Sequence, residues 1–214
     1  MQCRVCKTGS TLFFNDLRQF FKCPSCSLIF TQPSVDKSSE EKHYKQQWKD
    51  ESEDFWKDSV DVFLSVVQRY RTPQKILDFG SGSGALTKEI KKRGFDATPI
   101  EPMIHGYLKD QNFSNKFDVI AAIEVIEHLP NLWDELQEIG KNLTTEGIMV
   151  FTTQLTNRFI DTEAERGSFR NWAYKDDQTH VSFFCNKSLF LMAEIGNYDI
   201  DIFGDNLFVV RRKL

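Results

Sequence analysis

Ile76-Leu77-Asp78-Phe79-Gly80-Ser81-Gly82-Ser83-Gly84 reads as a buried strand that runs straight into a glycine-rich turn and then into a helix from about Ala85 to Arg93. A short apolar run bounded by a turn signal marks a strand covered on both faces. Three glycines at alternate positions let the backbone turn sharply and pass close to a ligand. Seventeen residues after Gly84 the next strand ends in Ile100-Glu101, where a carboxylate can accept hydrogen bonds from two vicinal ribose hydroxyls. Adenosine is the implied ligand. A nicotinamide dinucleotide fits less well, because its fingerprint sets the third glycine three residues after the second, whereas only Ser83 separates Gly82 from Gly84.

Outward from this stretch, strands and helices alternate. Lys75 to Phe79, Ala97 to Ile100, Asp118 to Ile123 and Gly147 to Thr152 read as strands, with a second helix from about Leu132 to Leu143. That succession predicts an α/β fold with a doubly wound, mostly parallel sheet. A helix from about Lys187 to Ile195 precedes Tyr198 to Phe203 and Leu207 to Arg212, which Gly204-Asp205-Asn206 joins as an antiparallel hairpin. Upstream, Phe55, Trp56, Val60, Phe63, Leu64, Val67 and Tyr70 recur at helical spacing, so a helix from about Glu53 to Tyr70 has one apolar face and stops at Thr72-Pro73.

The first 26 residues hold four of the five cysteines, as Cys3-x-x-Cys6, sixteen intervening residues and Cys23-x-x-Cys26. This is the two-knuckle spacing of a four-cysteine zinc site. Each pair occupies a tight turn, helped by Gly9 and Pro24, and the segment between forms a hairpin that brings the pairs together. Disulfides are the alternative, but they require an oxidising compartment. A ribbon this small buries little core of its own, so the metal is expected to supply most of its folding energy. Four sulfur ligands leave no open position, and the zinc is structural. Cys185 reads as a buried or strand-end residue. The expected organisation is a zinc ribbon at 1–33, a polar linker with helices at 34–72, and the α/β domain at 73–214.

Composition narrows the function classes. Across 214 residues, 27 Lys plus Arg meet 31 Asp plus Glu for a net charge of −4, and 40% of residues are hydrophobic, enough for a full core and too apolar for disorder. The start, Met1-Gln2-Cys3-Arg4, lacks the apolar segment of a secretory signal, and no apolar run approaches the ~18 residues of a membrane span. A cytoplasmic protein is expected. The acidic balance argues against wholesale coating of nucleic acid, although Arg4, Lys7, Arg18 and Lys22 against Asp16 give the first 26 residues a local +3.

The run Asp78 to Gly84, with Glu101, Phe117-Asp118-Val119-Ile120 and Glu124-Val125-Ile126-Glu127-His128-Leu129, resembles the motifs of class I S-adenosylmethionine-dependent methyltransferases. The whole chain from Cys3 is similar to a group of small bacterial methyltransferases that begin with a four-cysteine zinc ribbon, and their late motif corresponds to Asn171-Trp172-Ala173-Tyr174-Lys175-Asp176-Asp177-Gln178-Thr179-His180-Val181-Ser182-Phe183-Phe184. The resemblance implies S-adenosylmethionine as cofactor. It places Gly80, Ser81 and Gly82 against the methionine moiety and ribose, Asp78 in support of the turn and, through water, at the cofactor amine, Glu101 with the neighbouring Pro102 at the ribose, and Glu124 and Val125 at the methionine end. Tyr44 and Trp48 would lie over the cofactor as a lid or pack between ribbon and core. One departure stands out: only fifteen residues, Pro102 to Lys116, separate Glu101 from the strand opening at Phe117, where the family usually fits a helix and a third strand. A crossover needs about ten to twelve residues, so the third strand region must be curtailed, leaving Asp110 and Phe113 as candidates for the adenine contact.

Methyl transfer from a sulfonium is an in-line displacement, and a base is needed only for a protonated nucleophile. His180 is the candidate base, with Asp177 to orient it; His128 is the second choice, while His43 and His105 read as surface or linker residues. The alternative for Asp177, Thr179 and His180 is a role in tying down a loop. The place after the fourth strand reads Ile123-Glu124-Val125-Ile126, without the Pro-Pro-aromatic turn of exocyclic-amine methyltransferases, so a small-molecule hydroxyl or carbon acceptor is expected. RNA methylation with the ribbon as docking module, and a non-catalytic zinc-ribbon binding module, are the competing readings.

Overall fold

The computed structural model describes residues 1–50, 52–159 and 168–213. In chain order it contains β1 (Thr11–Asn15), β2 (Gln19–Lys22), β3 (Ile29–Thr31), α1 (Lys37–Asp50), α2 (Glu53–Val67), β4 (Ile76–Phe79), α3 (Ala85–Lys92), β5 (Ala97–Ile100), the short α4 (Pro102–His105), β6 (Phe117–Ile123), α5 (Leu132–Asn142), β7 (Leu143–Thr152), β8 (Ser182–Phe183), α6 (Asn186–Gly196), β9 (Tyr198–Phe203) and β10 (Leu207–Arg212). They fall into two compact units. One, the loop unit, gathers residues 36–123 and 136–151; the other, the ribbon unit, gathers residues 1–35 and 124–135 with the described residues from 152 onward.

The loop unit is the α/β part, built on a parallel-rich sheet in the order β5-β4-β6-β7. β4 runs parallel to β5, from Ile76 opposite Ala97 to Phe79 opposite Ile100, and parallel to β6, with Ile76 opposite Val119. All four residues of β4 are buried, as a central parallel strand requires. Asp118 sets the register: its carboxylate accepts the amides of Gln74 and Lys75, both at 2.8 Å, so the chain enters β4 clipped to β6. In α2, Val60, Phe63, Leu64 and Val67 are buried on one face, whereas Phe55 is 58% exposed.

Between β5 and β6 the chain makes only α4 and one short turn at Leu108–Asp110. No third strand occurs there, and β5 is the sheet edge. Pro99 accounts for the tolerance of that edge. Ile76 and Gly80 donate to the carbonyls of Asp96 and Ile100, so by alternation Pro99 faces outward, where a proline offers a further strand no N–H.

In the ribbon unit, β1, β2, β3 and β8 form a four-stranded sheet in that order. β8 comes from the late aromatic run and pairs antiparallel with β3, Ile29 opposite Phe183 and Phe30 opposite Ser182. Phe14, Phe20 and Ile29 pack in one cluster with Phe159, Phe169, Trp172 and Phe183. The ribbon thus shares its core with residues more than a hundred positions later. Cys185 is buried and caps α6. β9 and β10 form the expected antiparallel hairpin, from Leu207 opposite Phe203 to Arg212 opposite Tyr198. Among the described residues no helix is long and apolar enough to cross a membrane.

Candidate functional site

In the loop unit the glycine run turns back on the end of β5. Gly80, Gly82 and Gly84 have φ of 73°, 51° and 81°, the left-handed region that favours glycine. The amides of Gly80 and Ser81 both donate to the Ile100 carbonyl, at 2.8 and 3.0 Å. The next amide, Gly82, donates to Glu101 Oε2 at 3.1 Å, while Glu101 Oε1 accepts the Met103 amide at 3.3 Å and caps α4, with Pro102 in its first turn. Glu101 is therefore buried but held by two backbone donors. Burial pushes its carboxyl up, the two amides and His105 oppose the shift, and Glu40 of α1 adds to it. His105 is more than a surface residue: its Nδ1 accepts the Glu101 amide at 3.0 Å.

Trp48 lies against this loop. A Cβ placed on Gly82 would meet Trp48 Nε1 at 2.8 Å, so both the dihedral and the contact demand glycine. The Ser81 hydroxyl is buried and has no hydrogen-bond partner among the described residues, an unsatisfied group of the kind a ligand takes up. Asp78 supports the turn from the strand. Gly84 precedes α3 without a side chain to cap it, and Asp78 Oδ2 supplies the cap from the strand, accepting Thr87 N at 3.1 Å and Thr87 Oγ1 at 2.6 Å. Asp78→Ala is expected to lower stability by about 1–3 kcal/mol, the cost of a lost cap and an unsatisfied buried hydroxyl. Urea denaturation measures this; undiminished stability with lost ligand binding would instead put Asp78 on the ligand. Asp110 is exposed and Phe113 packs edge-to-face on Phe117, centroids 5.0 Å apart.

In the ribbon unit the two cysteine knuckles are near copies of each other. Cys3 N bonds Thr8 O and Lys7 N bonds Cys3 O; Cys23 N bonds Leu28 O and Ser27 N bonds Cys23 O, all at 2.9–3.0 Å. The left-handed residue of each turn is Lys7 (φ 60°) and Ser27 (φ 62°), not Gly9. Sγ of Cys3 and Cys26 are 3.5 Å apart, Cys6 and Cys23 3.4 Å, and Cys6 and Cys26 3.9 Å. Disulfide sulfurs sit about 2.05 Å apart, whereas ligands around a tetrahedral ion with bonds of about 2.3 Å are about 3.8 Å apart. The donor set fits such an ion. The Cys26 thiol and the backbone amides of Cys6 and Val5 hold Cys3 down to about 5 against its burial, while the hydrogen bond to Cys3 pushes Cys26 up and burial pushes Cys23 up.

A second cluster in this unit follows directly on β6. Glu124 has φ 53°, an uncommon conformation for a residue with a side chain. Its amide donates to the carbonyl and Oγ1 of Thr152, at 3.1 and 3.0 Å. The Tyr174 hydroxyl joins Glu124 Oε2 at 2.9 Å, Glu127 Oε1, and Thr153 Oγ1 at 3.0 Å. A phenol has one proton, so bonding both carboxyls requires one of them to be protonated. Glu127 is that one: it is fully buried, and burial followed by the Glu124 charge raises its pKa well above the ordinary value.

His180 packs on the same tyrosine, ring centroids 4.1 Å apart, and on His128 at 4.6 Å. Its Nδ1 lies 2.7 Å from the Tyr174 carbonyl; a carbonyl only accepts, so Nδ1 carries the proton and Nε2 the lone pair. Burial lowers the His180 pKa, against Asp177 and the Tyr174 carbonyl. The Asp177 carboxylate is 3.9 Å from Nε2 and closes a turn onto Thr179 N and Oγ1 at 2.9 and 2.6 Å; the carbonyl, rather than the carboxylate, sets the ring. Ligand atoms of Glu127, His128 and His180 lie within 4.8 Å of one another, and Glu127 Oε2 is buried with no hydrogen-bond partner among the described residues.

His180, Asp177, His128 and Glu124 are thus brought together, with Val125 in the same segment. Tyr174 and Glu127 complete the cluster; their signal in the sequence was a phenol and a second acid among residues already singled out by motif. Of the basic residues in the ribbon, Arg4 donates to Val181 O and Thr31 O at 2.7 and 2.6 Å, Arg18 donates to four loop carbonyls, and Lys22 sits over the Phe13 ring. Lys7 is exposed, and Arg4, Arg18 and Lys22 are half-buried.

Residues 41–200, three quarters of the chain, match the family described as Methyltransferase domain. The ubiquinone biosynthesis O-methyltransferase of Rickettsia bellii (strain OSU 85-389) is 20% identical over 149 residues, 59% of this chain and 62% of that protein. The one of Actinobacillus pleuropneumoniae serotype 7 is 27% identical over 106 residues, 37% of this chain and 45% of that protein. The chain therefore spans about half the length of these relatives. Among solved structures, the plantazolicin methyltransferase BpumL in complex with a monoazolic desmethylPZN analog and SAH superposes with a TM-score of 0.56 at 14% identity, covering 82% of this chain and 91% of that one. DesVI of Streptomyces venezuelae gives 0.54 at 12% identity, covering 84% and 100%. With the glycine turn, the acid at the end of β5 and a family match over most of its length, the chain belongs to the methyltransferase domain family.

Proposed function

We propose that the protein is an S-adenosylmethionine-dependent methyltransferase acting on a small-molecule acceptor, a hydroxyl before a carbon, and that its four N-terminal cysteines hold one structural zinc. The observation that carries the cofactor reading is the loop unit's pairing of a buried, unpartnered Ser81 hydroxyl with a Glu101 carboxylate that the Gly82 amide fixes in place. Gly80, Ser81, Gly82 and Glu101 would hold the cofactor, with Pro102 beside the ribose acid and Glu124 and Val125 toward the methionine end. When bound, S-adenosylmethionine supplies an electrophilic methyl group on a sulfonium. An acceptor O–H would lose its proton to His180 Nε2 as its oxygen forms the bond to the methyl carbon; the carbon–sulfur bond breaks, and the sulfur leaves as a neutral thioether. Neutral His180 with its proton on Nδ1 is in the state a base requires.

The hydroxyl acceptor is supported by the relatives, which are named O-methyltransferases, and by the presence of a poised base. A divalent ion held by Glu127, His128 and His180 is a second reading, favoured by the unpartnered Glu127 oxygen; such an ion would lower the pKa of an acceptor hydroxyl, and elemental analysis would then find two metals per chain. Docking of RNA on the ribbon loses support, because Arg4 and Arg18 are committed to backbone carbonyls. Thiols kept free for a metal belong in a reducing compartment, and we place the protein in the cytoplasm, with segments 1–33, 34–72 and 73–214 as ribbon, connecting helices and methyltransferase domain.

Calorimetric titration with S-adenosylhomocysteine tests the reading without knowledge of the acceptor. A dissociation constant in the micromolar range, about −8 kcal/mol, is expected. No binding to folded, zinc-loaded protein would overturn the enzyme in favour of a binding module.

A further inference from the structure

We propose that Arg18, in the ribbon, is a positioning residue for the proposed base: its guanidinium gathers the backbone carbonyls of residues 175–180 around itself and so holds His180 in one orientation. The inference rests on the reading of His180 given above, and serves its Nε2 equally whether that atom takes a proton or a metal.

Arg18 donates from Nη1 to the carbonyls of Gln178 and His180, at 3.0 and 2.9 Å, and from Nη2 to those of Asp177, at 2.8 Å, and Lys175. Arg4 adds Val181, so ribbon arginines occupy five carbonyls between residues 175 and 181. The segment has little regular structure, a short turn at Ala173–Asp176 and then none until β8, so no ladder orders it. Carbonyl dipoles aimed at one point repel unless a cation sits there, and only a planar fork with five donors can serve four of them. Arg18 is half-buried; burial lowers its pKa against the charges of Asp177 and Asp176, and its cation lies 5.3 Å above the Phe20 ring.

The consequence reaches the imidazole through one bond. The Nδ1–H of His180 donates to the Tyr174 carbonyl six residues back, and this closure survives only while the backbone between is folded on Arg18. Tyr174 carries the hydroxyl that joins Glu124 and Glu127, so the acids depend on the same clamp. The ribbon, on this account, is a wall of the catalytic apparatus rather than an appended docking module.

The test uses the full-length, zinc-loaded protein and three variants. Nitrogen-15 NMR of the histidine rings reports the tautomer at a pH where imidazole is neutral, and His180→Gln assigns the signal. Wild type should show His180 protonated on Nδ1 alone. Arg18→Ala should show a mixture of tautomers, recovered toward wild type by added guanidinium at sub-denaturing concentration. Arg18→Lys, which keeps the charge but loses the fork, should remain partly mixed and serves if the alanine variant does not fold. A folded Arg18→Ala or Arg18→Lys variant with the wild-type tautomer overturns the proposal, as does a tautomer change that guanidinium leaves untouched. Failure of wild type to bind S-adenosylhomocysteine would instead count against the methyltransferase reading and leave the clamp to be judged on its own signal.

Discussion

Replacing Cys26 by serine is expected to strip the metal from the protein and collapse the ribbon with it. Cys26 is fully buried and its Sγ meets both cysteines of the other knuckle, at 3.5 Å from Cys3 and 3.9 Å from Cys6. A neutral hydroxyl is a poor substitute for a thiolate in a four-sulfur site. Structural zinc contributes roughly 10–16 kcal/mol in isolated zinc-finger peptides, while whole domains are stable by only about 5–15 kcal/mol. Losing even part of that term removes most of the unit's margin. The damage should spread beyond residues 1–33, because β3 pairs with β8 and Phe14, Phe20 and Ile29 pack against Phe159, Phe169, Trp172 and Phe183. Elemental analysis and urea denaturation check it together: one zinc and a cooperative transition for wild type, no zinc and an early or absent transition for Cys26→Ser. A wild-type protein that is folded and metal-free would remove zinc from the account and leave the thiols held by hydrogen bonds and packing.

Glu101→Ala is expected to weaken binding of S-adenosylhomocysteine roughly 10- to 150-fold, about 1.5–3 kcal/mol, the worth of hydrogen bonds to a charged group. The carboxylate is buried and already oriented by the amides of Gly82 and Met103, so little ordering remains to be done when two hydroxyls arrive. Because Glu101 also caps α4, the variant should lose about 1 kcal/mol of stability, and calorimetry must be paired with a denaturation curve. Glu101→Gln, which keeps an oxygen but not the charge, should fall between. The sign with pH follows from burial. A carboxyl whose pKa lies above the ordinary 4.5 takes up its proton sooner on acidification, so affinity should fall with pH from a higher point than for an exposed glutamate. A folded Glu101→Ala that binds as wild type does would take the ribose away from Glu101.

Much of this was legible in the residues. The glycine run, the acid seventeen positions on and the paired cysteines are local patterns, and local patterns carry their meaning because dihedral limits and ligand spacing act over a few residues. The missing third strand was legible too, from chain length alone. Other features were hidden. Asp78 reads as a support of the turn, and the structure adds how: its carboxylate caps α3 through Thr87. The basic residues of the ribbon looked like a surface, yet Arg18 is turned onto a loop about 160 residues later, and no spacing rule reaches that far. Tyr174 stood in plain sight within the late motif, but its role depends on Glu124 and Glu127 meeting one hydroxyl.

By itself, then, the sequence determined the strand-turn-helix geometry, the acid at the end of β5 and the cysteine knuckles, since each is specified by neighbours in the chain. Only the tertiary structure decided that the ribbon shares a sheet with Ser182 and Phe183 and a core with Phe159, Phe169, Trp172 and Phe183, and that one arginine gathers four carbonyls of residues 175–180. Those contacts arise because a ribbon this small must borrow apolar surface to be stable, and a loop without a ladder must borrow donors.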